Sequence, residues 1–525
     1  MTTGQGKTIA GKAPRDLRLD FFRGLAMFII LLAHTPGNTW TLWIPARFGF
    51  SDATEIFVFC SGMASALAFG AVFAGRGWLL GAARVAFRVW QVYWAHISVV
   101  IATIVLMALL DRTGMGAPDK TYINWWPVSG FFDDPETAFP ALFTLTYVPG
   151  LFDILPMYLV ILAMIPLVML AHKFGGRSAV LGVVFAIWIA AQLALWNRAL
   201  GAEETHMLGE ALAWFGGAFA FFILPSNPWG GGAWFFNPFG WQLVFFTGFA
   251  FGMRWLPAPP VDRRLIIAAA TYLIVSIPFA WVKIHNGDYA PYDWAVWVAD
   301  GREFFGPMIA KSGVGLFRYL HFLALAYLAW AAVGRGGWRL TTGWRPLGAI
   351  SSRAALATLA AAAVLTAPYA YVDEIRAVSP ALDAWLLATM EPYGLVAHPS
   401  RIGLLQLVHL GALLTLAWAA IGAGWREWVA GDGFLALVPV IRKVGTQSLA
   451  VFMTSIVLSR FNGWWLDVVG RDIWTTAVVN LTGFAILIAT AYLVGWFKSQ
   501  PWRSERKPQI TENSPRSVAH PTPAE

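Results

Sequence analysis

The 525-residue sequence has few charged residues and almost no cysteine, and both shortages restrict the class of protein. Asp, Glu, Lys and Arg make up 13% of the chain, whereas soluble domains carry about 25%. Cys60 is the one cysteine, which excludes a disulfide framework, a cysteine-based zinc site and a CxxC redox motif. No grouping of His, Asp and Glu resembles a metal site, so we expect neither a metal nor a resident cofactor.

Apolar runs dominate the chain instead. Hydrophobic residues make up 58% of it and 29 residues are Trp, a composition typical of helices anchored at two membrane interfaces. Runs of about 20 apolar residues mark candidate membrane helices. They lie at 19–36, 52–74, 88–110, 152–170, 179–197, 239–254, 264–283, 317–334, 351–371, 402–423, 445–461 and 473–497. We therefore predict an all-α, polytopic integral membrane bundle of about ten to twelve helices in the lipid bilayer.

The charges between these runs predict the topology. Connections such as 76–88 and 335–353 are basic, while alternate ones such as 111–136 and 288–303 hold most of the acids. This alternation favours a cytoplasmic N-terminus and C-terminus. It also accounts for the net charge of +8, so we expect no nucleic acid partner. Residues 1–18 are then a cytoplasmic segment, 19–497 the membrane domain and 498–525 a disordered cytoplasmic tail.

Two stretches resemble one another and suggest an internal repeat. Residues 277–332 and 367–420 share several positions at a constant offset of 88, among them His321 with His409 and Trp330 with Trp418. Each unit reads as a helix, an outer loop and a returning helix. A parallel repeat of this kind is compatible with a transporter, and chance similarity between Ala- and Leu-rich helices is the simpler alternative.

Ionisable side chains in the first two spans are the candidate functional residues, because such groups are costly inside a membrane. Arg23 and His34 are eleven residues apart, which leaves them about 20° apart on one helix face and about 16 Å apart along the axis. Asp20 lies three residues before Arg23, close enough to pair with it. Asp52 and Glu55 open the second span at about the depth of His34.

This arrangement predicts acid–base chemistry at the outer end of the first span. His34 can take a proton from an attacking hydroxyl near neutral pH. Glu55 or Asp52 could then hold the other ring nitrogen of His34, as the third member of a triad does. The alternative is structural, with His34 capping a helix end or bonding a neighbouring carbonyl. Outer tryptophans such as Trp125 and Trp229 either stack on sugars or belong to an aromatic belt.

Several motifs carry a resemblance to a known family. The segments that carry it are Asp16-Leu-Arg-Leu-Asp20-Phe-Phe-Arg23-Gly24 followed by His34, then Gly49-Phe-Ser-Asp52-Ala-Thr-Glu55-Ile-Phe57-Val-Phe-Cys60-Ser61-Gly62, Asn237-Pro-Phe-Gly-Trp-Gln242 and Gly445-Thr-Gln-Ser448-Leu-Ala-Val-Phe452. They resemble the OpgC family, which is related to the acyltransferase-3 membrane acyltransferases. The related signature has an Arg-x-x-Arg pair before the third span. Here Arg84 and Arg88 are four apart, and Arg88-Val-Trp-Gln-Val-Tyr93 aligns with the end of that motif, so Arg88 carries over better than Arg84.

The resemblance implies a membrane O-acyltransferase of the bacterial inner membrane. Such an enzyme moves an acyl group, succinyl in OpgC itself, from cytosolic acyl-CoA to a hydroxyl of a periplasmic glucan. Acyl-CoA is then a co-substrate, His34 the catalytic base, and Arg23, Arg84 and Arg88 the residues that bind the donor. A transporter or flippase for a glycan or polysaccharide is the alternative, which the span number and the repeat would support.

Overall fold

The computed structural model describes residues 16–200, 217–286, 292–371, 375–376, 378–390 and 404–503. Over these ranges the chain is helical, and its β-structure is limited to an isolated bridge between Pro225 and Ala233. The predicted all-α class is therefore confirmed. Most of the predicted N-terminal segment and cytoplasmic tail lies outside the described residues.

Long helices account for most of the described chain. They are α1 (Leu17–His34), α2 (Ala53–Arg76), α3 (Trp78–Arg112), α6 (Ile154–Ala163), α7 (Ile165–Leu200), α8 (Pro238–Gly252), α9 (Arg263–Ala280), α13 (Leu316–Val333), α15 (Arg353–Ala370), α17 (Leu404–Ala420), α19 (Phe434–Thr446), α20 (Ser448–Val469) and α21 (Ile473–Ser499). Shorter helices lie in the connections: α4 (Trp126–Asp133), α5 (Pro135–Phe143), α10 (Val282–His285), α11 (Tyr292–Phe304), α12 (Gly306–Ile309), α14 (Arg339–Thr342), α16 (Pro380–Met390) and α18 (Ala423–Trp428).

Within the described ranges, seven helices are long and apolar enough to cross a membrane by themselves, or eight if one bent pair counts as a single span. The protein is therefore polytopic, although this number is below the ten to twelve spans predicted. Helix α1 falls short because it carries Arg18, Asp20 and Arg23 within 18 residues. Helices α8 and α17 have only 15 and 17 residues.

One of these seven long helices, which consists of α6 and α7 together, crosses the membrane twice. The continuous stretch Ile154–Trp196 is 43 residues long and is interrupted at Gly176, whose φ of 64° is not helical. Near its start, Asp153 Oδ2 accepts the backbone N–H of Phe236 at 3.0 Å. Near its end, Gln192 Nε2 donates to the carbonyl of Gly313 at 2.6 Å. The N–H of Asn237 donates to the carbonyl of Ser312, so Phe236 and Gly313, the neighbours of these two residues, lie in one region. Both ends of the 43-residue stretch therefore contact the same region, and the chain must reverse at Gly176.

The start of α1 and the end of α21 lie on the same side of the bundle. The start of α1 packs against the end of α19, where a Cβ on Gly445 would lie 1.9 Å from the carbonyl oxygen of Asp20. At the end of α21, Lys498 Nζ donates to Gln447 Oε1 at 2.7 Å, just beyond the same helix. We call this side the terminal face, and the opposite side, where α1 ends at His34, the loop face. This placement matches the predicted topology, in which both ends share one compartment.

Glycines let the central helices approach until their backbones touch. A Cβ on Gly62 of α2 would lie 1.9 Å from the carbonyl oxygen of Phe245 in α8, and one on Gly248 would lie 2.1 Å from that of Phe59. Gly24 of α1 meets the carbonyl of Ile441 in the same way. Small residues allow such close packing between membrane helices, where dispersion replaces the hydrophobic effect. Helices α1 and α2 are thereby held between α19 and α8.

The two units of the predicted repeat each contain a packed helix pair, α9 with α13 and α15 with α17. His321 and His409 are both buried, yet their partners differ. His321 Nδ1 lies 2.7 Å from the hydroxyl of Ser51, whereas His409 Nδ1 lies 2.8 Å from the carbonyl of Ala363 in its own pair. Residues 372–374 and 391–403 of the second unit are outside the described part of the chain, so the repeat stays a prediction.

The glycine contacts predict a difference between two Gly→Ala substitutions. Gly62→Ala should lower the unfolding free energy by about 1–3 kcal/mol, because its methyl group would overlap the backbone of α8. Gly182→Ala in α7 is the matched control, since a Cβ there meets nothing within 4 Å and alanine favours a helix. Thermal unfolding midpoints of the purified proteins in detergent test this. A Gly62→Ala midpoint at or above that of the wild type would contradict the close packing.

Candidate active site

His34 is the last residue of α1 and is partly exposed on the loop face. The helix stops here because Thr35 adopts an extended conformation before Pro36, which disfavours a helical residue in front of it. The Nδ1 atom of His34 lies 2.8 Å from the carbonyl oxygen of Ile30. A carbonyl can only accept, so Nδ1 carries the proton and Nε2 of neutral His34 keeps its lone pair. The ring is therefore held in the tautomer that a general base on Nε2 requires.

Asp52 and Glu55 together form the capping box that begins α2. The Asp52 carboxylate accepts the N–H of Thr54 at 2.7 Å, and the Glu55 carboxylate accepts the N–H of Asp52 at 2.8 Å. Such reciprocal bonds satisfy the first donors of a helix. Both side chains are buried, and Glu55 has no exposed surface.

Two cations from a distant part of the chain pair with these carboxylates. Lys311 Nζ donates to Asp52 Oδ2 at 2.5 Å, and Arg318 Nε donates to Glu55 Oε1 at 2.6 Å. Arg318 also approaches Asp52, at 3.8 Å. The four groups are an ion-pair network that joins the start of α2 to the start of α13, and we call it the carboxylate network.

The expected triad is not formed. Neither Asp52 nor Glu55 hydrogen-bonds His34, because both carboxylates are already engaged by the capping box and by Lys311 and Arg318. The carbonyl of Ile30 takes the orienting role that the sequence pattern predicts for a carboxylate. The structural alternative is thus correct for Nδ1 of His34, and it leaves Nε2 for chemistry. Asp52 still acts on His34 through its charge.

A buried arginine of α20 also acts on His34. The positive charges of Arg460 and Lys311 both interact electrostatically with the His34 ring. Arg460 is 6% exposed. Its guanidinium carbon lies 4.5 Å from the centre of the Trp125 ring, and its Nε donates to Ser459 Oγ at 3.3 Å. Lys311, Arg318 and Arg460 are not among the site residues predicted from the sequence. The rule that singled out Asp20 and Arg23, a charge inside an apolar run, would have found Arg318 and Arg460.

The predicted donor-binding arginines lie towards the terminal face and differ in burial. Arg23 is 7% exposed and donates to the carbonyl oxygen of Cys60 in α2 at 3.2 Å. One turn earlier in α1, Asp20 is fully buried. Arg84 is exposed near the start of α3, while Arg88 is half-buried and donates to Gln91 at 3.1 Å. The continuous helix between Arg23 and His34 confirms that they share one helix with the predicted separation.

Buried polar contacts hold the loop that follows His34. Asn38 and Asn480 exchange two amide hydrogen bonds of 2.7 and 3.0 Å. Nearby, Arg471 donates to the carbonyl oxygen of Pro36 at 2.7 Å. These bonds fasten the loop to α21 and its preceding turn. His34 therefore ends a helix that is anchored on both sides, which limits the movement of its ring.

A cleft of about 490 Å³ opens on the loop face between the α3–α6 connection and the segment before α8. Its polar and aromatic lining includes Asp133, Asp134, Tyr147, Asp153, Asn227 and Trp229. Asp153 is 2% exposed. Burial raises the pKa of its carboxyl group to about 6, although the hydrogen bond from the N–H of Phe236 acts to lower it. Among the residues that the structure describes, no group of three His, Cys, Asp or Glu side chains is arranged to hold a metal ion.

The carboxylate network predicts strong coupling between Glu55 and Arg318. Glu55→Gln or Arg318→Gln alone should each destabilise the protein by about 3–5 kcal/mol, because each leaves one buried charge without its partner. The double variant should cost clearly less than the sum of the two, since it leaves neither charge alone. Unfolding midpoints of all four proteins in detergent measure the coupling. Strictly additive losses would contradict a direct ion pair.

The chain was compared with protein families, curated proteins and solved structures. A family model described as OpgC protein matches residues 15–350 and 342–499, which together cover most of the chain. Neither a curated protein nor a solved structure matches it.

Proposed function

The chain belongs to the OpgC family, and we propose from this premise that it is a membrane O-acyltransferase acting on glucans. In full, the proposal is transfer of a succinyl group from cytosolic succinyl-CoA to a hydroxyl of a periplasmic glucan in the bacterial inner membrane. The observation that carries it is the His34 ring on the loop face, with Nδ1 bonded to Ile30 and Nε2 available. Acyl-CoA serves as a co-substrate.

The reaction follows from this tautomer. Nε2 of His34 takes the proton of an acceptor hydroxyl as its oxygen attacks the carbonyl carbon of the thioester. A carbon–oxygen ester bond forms, the carbon–sulfur bond breaks, and the electron pair leaves on the sulfur of CoA. His34 then returns the proton to that thiolate. The carbonyl of Ile30 keeps the ring oriented throughout and stabilises the imidazolium that forms transiently.

Donor binding is proposed at the opposite end of α1. The terminal face is taken as cytoplasmic, in agreement with the basic connections of the sequence. Arg84 and Arg88 at the start of α3 supply cations for the phosphates of CoA. The pantetheine arm extends past Arg23 towards His34, which is about 16 Å further along the helix axis. Asp52 and Glu55 are assigned a positioning role, because the cations of the carboxylate network hold them.

A glycan transporter is the second candidate, and one observation favours it. Helices α17 and α18–α19 meet at a bend of 112° across a short break, and broken helices are typical of transporters. That feature gives no role to His34, whose free Nε2 suits proton transfer. The acyltransferase therefore accounts for more of the structure.

Loss of the base is the central test of the proposed function. His34→Gln should lower acyl transfer by about 10²–10⁴-fold, the usual contribution of a general base. Membranes with equal amounts of each protein receive labelled succinyl-CoA or acetyl-CoA and periplasmic glucan, and label in the glucan is counted. His172→Gln is the matched control, since this ring stacks on Trp255 at 4.4 Å, away from the loop face.

The outcomes separate the two candidate functions. Transfer by the wild type and by His172→Gln, but not by His34→Gln, supports the proposal and identifies the donor. Equal transfer by all three proteins overturns the role of His34. If the wild type transfers neither acyl group, the acyltransferase proposal fails and glycan flux across vesicles becomes the measurement for the transporter.

A further inference from the structure

One of the three cations around His34 has no carboxylate partner in the described part of the chain. Three cations surround the loop-face ends of α1 and α2: Lys311, Arg318 and Arg460. Asp52 pairs with Lys311, and Glu55 pairs with Arg318. Arg460 is buried like Arg318, but no carboxylate among the described residues lies within ion-pair distance of it. Among the described residues, Arg460 is therefore a buried cation without a carboxylate partner.

The surroundings of Arg460 suit a small planar anion. Its Nε bonds to Ser459 Oγ, and the Trp125 ring covers one face of the guanidinium at 4.5 Å. Trp125 is held in turn against Phe152, with the ring centres 6.3 Å apart. Stacking on an aromatic ring orients a guanidinium and leaves its edge N–H groups to bind a carboxylate with two parallel bonds. Arg460 thus presents a preorganised receptor near His34.

The chemistry of the donor determines which anion can reach this receptor. The phosphates of acyl-CoA are separated from the thioester by the long pantetheine arm, so they stay towards the terminal face when the thioester is at His34. A carboxylate on the acyl group itself lies only a few bonds beyond the reacting carbonyl. This reasoning rests on the proposed function, since it takes His34 as the place where the thioester reacts.

We propose that Arg460 binds the distal carboxylate of a dicarboxylic acyl group, such as succinyl, and so selects that donor over neutral acyl-CoA. Arg460 is a specificity-determining residue in this role, and Trp125 positions it. A bound dicarboxylic donor supplies the carboxylate that pairs with Arg460, which a neutral acyl group cannot do.

The test compares succinyl-CoA with butyryl-CoA, which has a methyl group where succinyl has its carboxylate. Wild type, Arg460→Gln, Arg460→Lys and the control Arg47→Gln are assayed as full-length protein in detergent. Arg47 is an exposed loop-face arginine bonded to the carbonyl of Thr41. The ratio of kcat/KM for succinyl over butyryl transfer should fall about tenfold or more in Arg460→Gln, recover partly in Arg460→Lys, and stay at the wild-type value in Arg47→Gln.

Direct binding separates a failure of this inference from a failure of the proposed function. Unfolding midpoints are measured with succinyl-CoA and with butyryl-CoA for the same proteins. A preference of the wild type for succinyl-CoA that Arg460→Gln removes supports the receptor even if no acyl group is transferred. Equal losses with both donors, or an unchanged ratio in Arg460→Gln, overturn it and indicate an effect on the reacting carbonyl or on folding.

A second inference rests on an independent observation, an unpartnered buried carboxylate in the loop-face cleft. Asp153 lines this cleft, and its Oδ1 has no hydrogen-bond partner among the described residues, while Oδ2 accepts the N–H of Phe236. A buried acceptor of this kind is costly unless a ligand donates to it. Hydroxyl groups are suitable donors.

Aromatic and polar groups beside Asp153 fit a sugar. Trp229 is 47% exposed, and its indole N–H donates to Asp134 at 2.9 Å, which holds the ring in place. Its edge packs on Tyr147 with ring centres 5.0 Å apart. The cleft borders the carboxylate network, because Lys311 Nζ, which pairs with Asp52, lies 5.5 Å from the centre of the Phe236 ring, and Asp153 accepts the N–H of Phe236.

The geometry points to this cleft as the subsite for a glucosyl residue of the acceptor, with Asp153 accepting a sugar hydroxyl. It rests on the proposed function for the identity of the ligand as a glucan. Asp153→Ala should raise the KM for glucan about tenfold or more and leave the KM for acyl-CoA unchanged. Asp119→Ala is the control, an exposed loop-face aspartate outside the cleft.

Calorimetric titration of a gluco-oligosaccharide into wild type, Asp153→Ala and Asp119→Ala provides the readout that does not depend on transfer. Binding by the wild type and the control, but not by Asp153→Ala, supports the subsite whether or not transfer occurs. Equal binding by all three proteins, or parallel increases in both KM values, overturns it.

Discussion

The pairing of two buried carboxylates with two cations is the interaction on which the loop-face architecture depends. Asp52 and Glu55 begin α2, and their partners Lys311 and Arg318 come from residues 259 and 263 positions later in the chain. Burying either carboxylate without its cation would strongly destabilise the fold. The network therefore brings α13 to the start of α2, beside the end of α1, and thereby defines the surroundings of His34.

The same pairing distinguishes the two units of the predicted repeat. Arg318 of the first unit corresponds to Gln406 of the second, at the offset that relates His321 to His409. Gln406 carries no charge, so it cannot form the ion pair that Arg318 forms with Glu55. His321 accordingly contacts Ser51 next to the carboxylate network, whereas His409 bonds within its own helix pair. One unit is part of the site, and the other packs mainly on itself.

His34 and Arg460 each keep polar atoms that are not hydrogen-bonded to any described residue. The carbonyl of Ile30 takes one ring nitrogen of His34, and Trp125 covers one face of Arg460. Each contact orients its side chain and leaves other atoms available, Nε2 in His34 and the terminal N–H groups of the guanidinium in Arg460. Under the proposed function, His34 supplies the base and Arg460 the anion receptor for an acidic acyl donor, and both lie on anchored helices.

The sequence by itself determined the helical membrane class, the helix shared by Arg23 and His34, and the place of Asp52 and Glu55 at the start of the second span, because these depend on hydropathy and on neighbours a few residues apart. Only the tertiary structure decided the partners of the carboxylates, the tautomer of His34 and the place of Arg460. These depend on contacts between residues hundreds of positions apart. Spacing along one helix predicts which groups share a face, but it cannot predict which distant charge will neutralise them.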